Sequence, residues 1–122
     1  MADDRPTVLV VEDDDSVRAL VEMLLTDSGV AVTTARDGLE GLLKLSFARP
    51  AAVVLDIMMP DVSGMRVLDE LAAQHDDIPV VVVTGKPEAA AEARRRLGDE
   101  NVFDKPFDPD HLIRRITQIV GT

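Results

Sequence analysis

The chain predicts an α/β fold in which a parallel sheet is wound with helices on both faces. Three observations lead there. Short β-branched runs alternate with amphipathic helical stretches five times. The strand runs are almost continuously apolar, as strands covered on both faces must be. Each run also stops abruptly at charged residues or at Pro and Gly, so polar groups collect at the strand ends.

The first strand is Thr7 to Val11, halted by Glu12-Asp13-Asp14-Asp15. From Ser16 the apolar positions Val17, Leu20, Val21, Leu24 and Leu25 recur at helical spacing, and Ser28-Gly29 closes that helix. Val30 to Ala35 alternates loosely, as an edge strand does. Asp37 with Glu40 three residues on has the form of a capping box, opening a helix with Leu39, Leu42, Leu43 and Phe47 expected inward. Arg49-Pro50 ends it.

The central strand, Ala52 to Asp56, delivers one carboxylate to its C-terminal end, and Pro60 forbids continuation. Ser63 is the expected N-cap of a third helix with Gly64, Val67, Leu68 and Leu71 inward. Pro79 to Val83 is too short and too β-branched for a helix. Pro87 suits a first helical position, and the helix through Leu97 has Ala89, Ala93 and Leu97 along one side with Gly98 at its end. Asn101 to Asp104 is a short fifth strand before Lys105-Pro106. Asp108-Pro109 opens the last helix, with Leu112, Ile113, Ile116, Ile119 and Val120 apolar.

Parallel strands require right-handed crossovers, and five β-α units in this length give the flavodoxin-like (βα)5 order 2-1-3-4-5 in one domain, 1–122. In that order, sites form beyond the C-terminal ends of the strands, at the switch point between strands 1 and 3. Glu12, Asp13, Asp56, Thr84 and Lys105 should therefore share one rim.

Composition narrows the chemistry. Acidic residues outnumber basic ones 23 to 13, for a formal charge of −10, which disfavours phosphate backbones and anionic membrane surfaces. Direct nucleic-acid binding is not expected. Three Phe with neither Trp nor Tyr leave few platforms for stacking bases or flavins. With no Cys there is neither a disulfide framework nor a thiolate metal site. The acidic start Met1-Ala2-Asp3-Asp4 is unlike a signal peptide, and no run reaches about 18 apolar residues. A cytoplasmic location without membrane contact is the expectation.

Three carboxylates on one rim repel each other unless a cation lies between them. A hard divalent ion with oxygen ligands answers that need, and Mg2+ suits a shallow site that keeps several waters. With the metal neutralising an incoming phosphoryl group, Asp56 is free to act as nucleophile, Thr84 offers a hydroxyl and Lys105 an ammonium. The constellation describes phosphorylation on Asp56. Asp14 and Asp15 more simply suit a helix N-terminus, Arg94-Arg95-Arg96 a solvated helix C-terminus, and His75 and His111 solvent.

Four blocks, Val10-Val11-Glu12-Asp13-Asp14, Asp56-Ile57-Met58-Met59-Pro60, Thr84-Gly85 and Lys105-Pro106-Phe107, resemble in order and spacing the signature of the receiver domains of two-component response regulators. The resemblance covers the whole chain. It implies that Asp56 is the phosphoacceptor for a phosphohistidine on a sensor histidine kinase or phosphotransfer protein. It implies that Asp13 binds Mg2+ directly, that Glu12 does so directly or through water, and that Met58 contributes its carbonyl. By the same resemblance, Thr84 moves toward the phosphoryl group, Lys105 pairs with it, and Lys105-Pro106 is cis. Such a protein catalyses its own phosphoryl transfer and autodephosphorylation without being a conventional enzyme. Its output partner would meet the face made by helix 4, strand 5 and helix 5, Glu88 to Val120.

One residue departs from the pattern. Val102 stands where the family usually has Tyr or Phe, and Phe103, one position on, should face the other side of the sheet. Activation is therefore expected to work through Thr84 and the loop Gly85 to Pro87. Met58, two residues after Asp56, is apolar and cannot orient an attacking water, which implies a long-lived phosphoryl group.

Other readings fit less well. A haloacid-dehalogenase-type phosphatase normally has a second Asp where Met58 stands, and a flavodoxin needs Ser, Thr and Gly where Glu12-Asp13 would repel a phosphate. A P-loop is broken by Pro87 after Gly85-Lys86. The alternative that stays open is a receiver-like adaptor that binds proteins without being phosphorylated.

Overall fold

A computed structural model describes residues 5–57, 64–74 and 77–121. Five parallel strands, β1 (Thr7–Val11), β2 (Ala31–Ala35), β3 (Ala52–Asp56), β4 (Val80–Thr84) and β5 (Val102–Asp104), lie in the order β2-β1-β3-β4-β5, the flavodoxin-like arrangement. The helices are α1 (Asp15–Asp27), α2 (Gly38–Leu45), α3 (Gly64–Gln74), α4 (Pro87–Leu97) and α5 (Pro109–Val120). Asn101, expected in the last strand, instead ends a 3-10 turn, Asp99–Asn101. No described helix is long and apolar enough to cross a membrane.

Strand alternation splits the core into two layers. Leu9, Val11, Val53, Leu55, Val80 and Val82 point toward α2, α3 and α4, whereas Val8, Val10, Val54, Val81 and Val83 meet Val21, Leu25, Leu112 and Ile116 of α1 and α5. Every residue of β3 and β4 is buried. Burial of each such aliphatic side chain is worth about 1.5–3 kcal/mol against conformational entropy.

The helix ends are built as their sequences suggest. Asp14 caps α1, accepting from the N–H groups of Ser16 (2.9 Å) and Val17 (3.1 Å). Asp37 caps α2 by accepting from Glu40 N–H at 2.8 Å, and Glu40 in turn accepts from Arg36 N–H at 2.8 Å. Pro87 and Pro109 open α4 and α5, and Asp108 accepts from Asp110 N–H at 3.0 Å. Gly98 ends α4 at φ 91°, a conformation that favours glycine. Ser63, the expected cap of α3, and His75 lie outside the described residues.

The second helix corrects one expectation. Leu39, Leu43 and Phe47 do not point inward: they are 64%, 57% and 80% exposed, and α2 buries Gly38, Gly41 and Leu45 instead, with Leu42 partly covered. The cause is close approach. A Cβ at Gly41 would lie 3.0 Å from Val11 Cγ2, so the helix docks through its glycines, and the leucines four residues apart turn to the opposite side.

The arginine run on α4 is more engaged than a solvated helix end. Arg94 reaches Asp104 of β5 at 2.8 Å and Arg96 reaches Asp69 of α3 at 2.8 Å, tying α4 to both neighbours. His111 is exposed, as expected, and sets its ring edge-on to Phe103 with centroids 5.1 Å apart. On the outer edge of the sheet, Lys44 of α2 donates to the carbonyl of Thr34.

Candidate functional site

The strand register does most of the assembly. Val11 pairs with Leu55, so the next residues, Glu12 and Asp56, emerge side by side from β1 and β3. Asp56 pairs with Val83, one residue short of Thr84, and Thr84 pairs with Asp104, one short of Lys105. The ladder gains a further link where Lys105 N–H donates to the Thr84 carbonyl at 2.9 Å. Four chain segments thus deliver their polar residues to one edge of the sheet, as the topology requires.

Glu12, Asp13 and Asp56 each bring a carboxylate oxygen within 4.8 Å of the others. Glu12 and Asp56 are only 4% and 3% exposed, whereas Asp13 is open to solvent. Lys105 Nζ bridges the buried pair, 2.9 Å from Glu12 Oε1 and 3.1 Å from Asp56 Oδ2. Thr84 is fully buried, and its Oγ1 accepts from Lys86 N–H at 3.2 Å, turning the hydroxyl toward the β4–α4 loop. The Lys105-Pro106 bond is cis. Met58 lies outside the described residues.

Every polar group of Glu12 has a partner. Its N–H donates to Ala35 O at 3.0 Å, its Oε2 accepts from Asp14 N–H at 3.2 Å, and its carbonyl accepts from Arg18 Nη1 at 2.9 Å. Arg18 also pairs with Asp15, and its side chain is only 15% exposed. No motif marks this second cation; its one signal in the sequence is the i,i+3 spacing from Asp15.

The electrostatics follow from crowding. Burial, then the hydrogen bond with Asp56, pushes Glu12 up to about 7 from its ordinary 4.5, although the bond to Lys105 acts in the other direction. Burial also acts to depress Lys105, but its hydrogen bond to Glu12 and the charges of Asp56 and Glu12 outweigh this and hold it above the usual lysine value. Among the described residues, two buried carboxylates and a third at the mouth face one ammonium. An all-oxygen donor set of this kind fits a hard divalent cation.

Residues 8–117 match the family described as "Response regulator receiver domain". The chain belongs to that family. It is 35% identical over 114 residues to the response regulator MprA of Mycobacterium sp. (strain KMS), an alignment covering 93% of this chain and 50% of the relative. The chain thus spans about half the length of the curated relatives it matches. Among solved structures, the Francisella response regulator 1452 receiver domain superposes with a TM-score of 0.86 at 28% identity, covering 96% of this chain and 98% of the other. The Vibrio cholerae chemotaxis protein CheY4 does so with a TM-score of 0.80 at 29% identity, covering 94% and 98%.

Within this receiver domain, Val102 and Phe103 divide as strand alternation requires. Val102 is buried in the layer under α2 to α4, and Phe103 in the layer under α1 and α5. The aromatic ring of β5 is therefore on the side of the sheet opposite to that of Val102.

Proposed function

We propose that this receiver domain accepts a phosphoryl group on Asp56 in a Mg2+-dependent reaction and passes the change to protein partners. The observation that carries the reading is the bridge from Lys105 Nζ to Glu12 and Asp56 at the C-terminal edge of the sheet. An ammonium in contact with both carboxylates supports reading Asp56 as the nucleophile and Lys105 as the cation beside it.

Glu12, Asp13 and Asp56, with the carbonyl of Met58, would hold the metal. Bound Mg2+ would supply the positive charge that offsets repulsion between these carboxylates and the incoming phosphoryl oxygens. An Asp56 oxygen attacks phosphorus, the P–N bond of a phosphohistidine breaks, and the imidazole leaves with the electron pair; the product is an acyl phosphate. Lys105 then exchanges its carboxylate contact for a phosphoryl oxygen without leaving its place. Thr84 Oγ1, now accepting from Lys86 N–H, turns to donate to another oxygen, which pulls on the loop into α4.

The donor is a phosphohistidine of a sensor histidine kinase or phosphotransfer protein. An open apolar groove that Lys105 lines together with Val17, Leu20, Pro106, Phe107 and Pro109 supports protein docking on that side of the site. The output partner meets α4, β5 and α5, into which Thr84 and Lys105 feed directly. A charge of −10 argues for protein partners over direct contact of this domain with nucleic acid, and the setting we infer is cytoplasmic.

Intact-protein mass spectrometry after incubation with acetyl phosphate and Mg2+ tests the reading. Wild type is expected to gain the mass of one phosphate and Asp56→Asn none. No gain in wild type, or the same gain in both, overturns it.

A further inference from the structure

We infer that Arg18 is a positioning residue for the metal site, holding the β1–α1 turn so that Asp13 is aimed into the acidic notch. This rests on the Mg2+ reading of the same notch. Glu12 and Asp13 reach the notch in different ways. The Glu12 carboxylate is tethered by Lys105 Nζ and by Asp14 N–H. The Asp13 carboxylate is exposed and makes no hydrogen bond or ion pair with any described residue. The backbone that carries it therefore fixes where its Cα–Cβ bond starts and points, and so which region its rotamers reach.

That backbone is held by Arg18. Nη1 takes the Glu12 carbonyl at 2.9 Å while Nη2 pairs with the Asp15 carboxylate, so one planar guanidinium spans the turn with Asp13 between its two anchors. A peptide unit is planar, so fixing the Glu12 C=O also fixes the N–H and Cα of Asp13. Guanidinium can hold two acceptors in a rigid fork, which an ammonium on a flexible stem cannot reproduce.

The choice of acceptors also matters. Arg18 engages Glu12 through its carbonyl and spends its charge on Asp15, leaving the carboxylates of Glu12 and Asp13 available to a metal. The Arg18 side chain is 15% exposed and its bond to the Glu12 carbonyl is half-buried, whereas the Asp15 anchor lies at the surface. Partners of this kind, one bond removed from a metal ligand, commonly govern affinity about 10–100-fold.

The test is calorimetric titration of Mg2+ into the unphosphorylated full chain, with Asp13→Asn as control for the metal site itself. Arg18→Met keeps the stem and helix propensity but loses both anchors; it is expected to weaken Mg2+ binding about tenfold. Arg18→Lys, retaining one anchor, should fall between it and wild type. The Mg2+ concentration that half-saturates phosphorylation by acetyl phosphate should rise by the same factor in each variant. Both Arg18 variants binding Mg2+ within about twofold of wild type would overturn the inference. If Arg18→Met does not fold, Arg18→Lys decides by the same criterion. Wild type that binds no Mg2+, or Asp13→Asn that binds it unimpaired, would instead remove the metal reading and this inference with it.

Discussion

The rim of the sheet and the outer face of α2 break the usual rule of oil inside and charge outside in opposite directions. At the rim, the carboxyl groups of Glu12 and Asp56 are buried. On α2, Leu39, Leu43 and Phe47 are large, apolar and exposed. Glu12 has a partner at every polar atom and Asp56 Oδ2 is held by Lys105, as buried polar groups require. The exposed leucines come with a steric cause, the flat approach of Gly41 to Val11. Buried charge is evidence of purpose here, whereas exposed hydrocarbon is a by-product of how the helix docks.

The strongest way to break the comparison is to disturb the backbone behind the rim. A Cβ at Gly64 would lie 2.3 Å from Ile57 Cα and 2.4 Å from Asp56 O, and Gly64 N–H already donates to Ile57 O at 2.8 Å. Neither neighbour is a flexible side chain. Gly64→Ala is expected to lose on the order of 3 kcal/mol or more in urea unfolding. A loss below about 1 kcal/mol would show that the turn behind Asp56 is free to shift.

A sharper and smaller effect lies in the charge itself. Glu12 titrates near 7 when folded against 4.5 unfolded, so between those values the folded chain holds a proton that the unfolded chain has lost. Stability from this group therefore falls as pH rises through that window, and the deficit persists above it. In EDTA, Glu12→Gln should gain on the order of 3 kcal/mol relative to wild type between pH 4 and pH 8, the size set by such a shift. Parallel pH profiles of unfolding for the two proteins would refute this. The smallest effect belongs to α2: Leu43→Gln or Phe47→Ser should change stability by no more than about 0.5 kcal/mol, because little is buried there to lose. A loss near 2 kcal/mol in the same urea assay would mean that the stripe is covered in solution.

The contrast also explains what could be read from sequence. Strand order and the convergence of Glu12, Asp13, Asp56, Thr84 and Lys105 were legible because parallel topology leaves few ways to connect five short apolar strands. Once the order is known, register alone brings those residues to one edge. The orientation of α2 was not legible: Leu39, Leu42 and Leu43 occupy a broad arc, and only the packing of Gly41 on Val11 decides which part of it is covered. Arg18 was hidden for a related reason, since its acceptor is a backbone carbonyl, which no side-chain pattern announces. The cross-links from Arg94 and Arg96 likewise depend on where α3 and β5 lie relative to α4.

The bond from Lys44 to Thr34 has a consequence beyond the local geometry. β2 borders the sheet, and its links to β1 through Ala31 and Ala35 leave Val32 and Thr34 with their peptide groups turned outward. That uncharged rung would welcome a strand from another molecule, and the ammonium laid across its carbonyl denies it one of the acceptors such stacking needs. Lys44 thus occupies one acceptor in the outward row of β2, the kind of placement that blunts an exposed sheet edge.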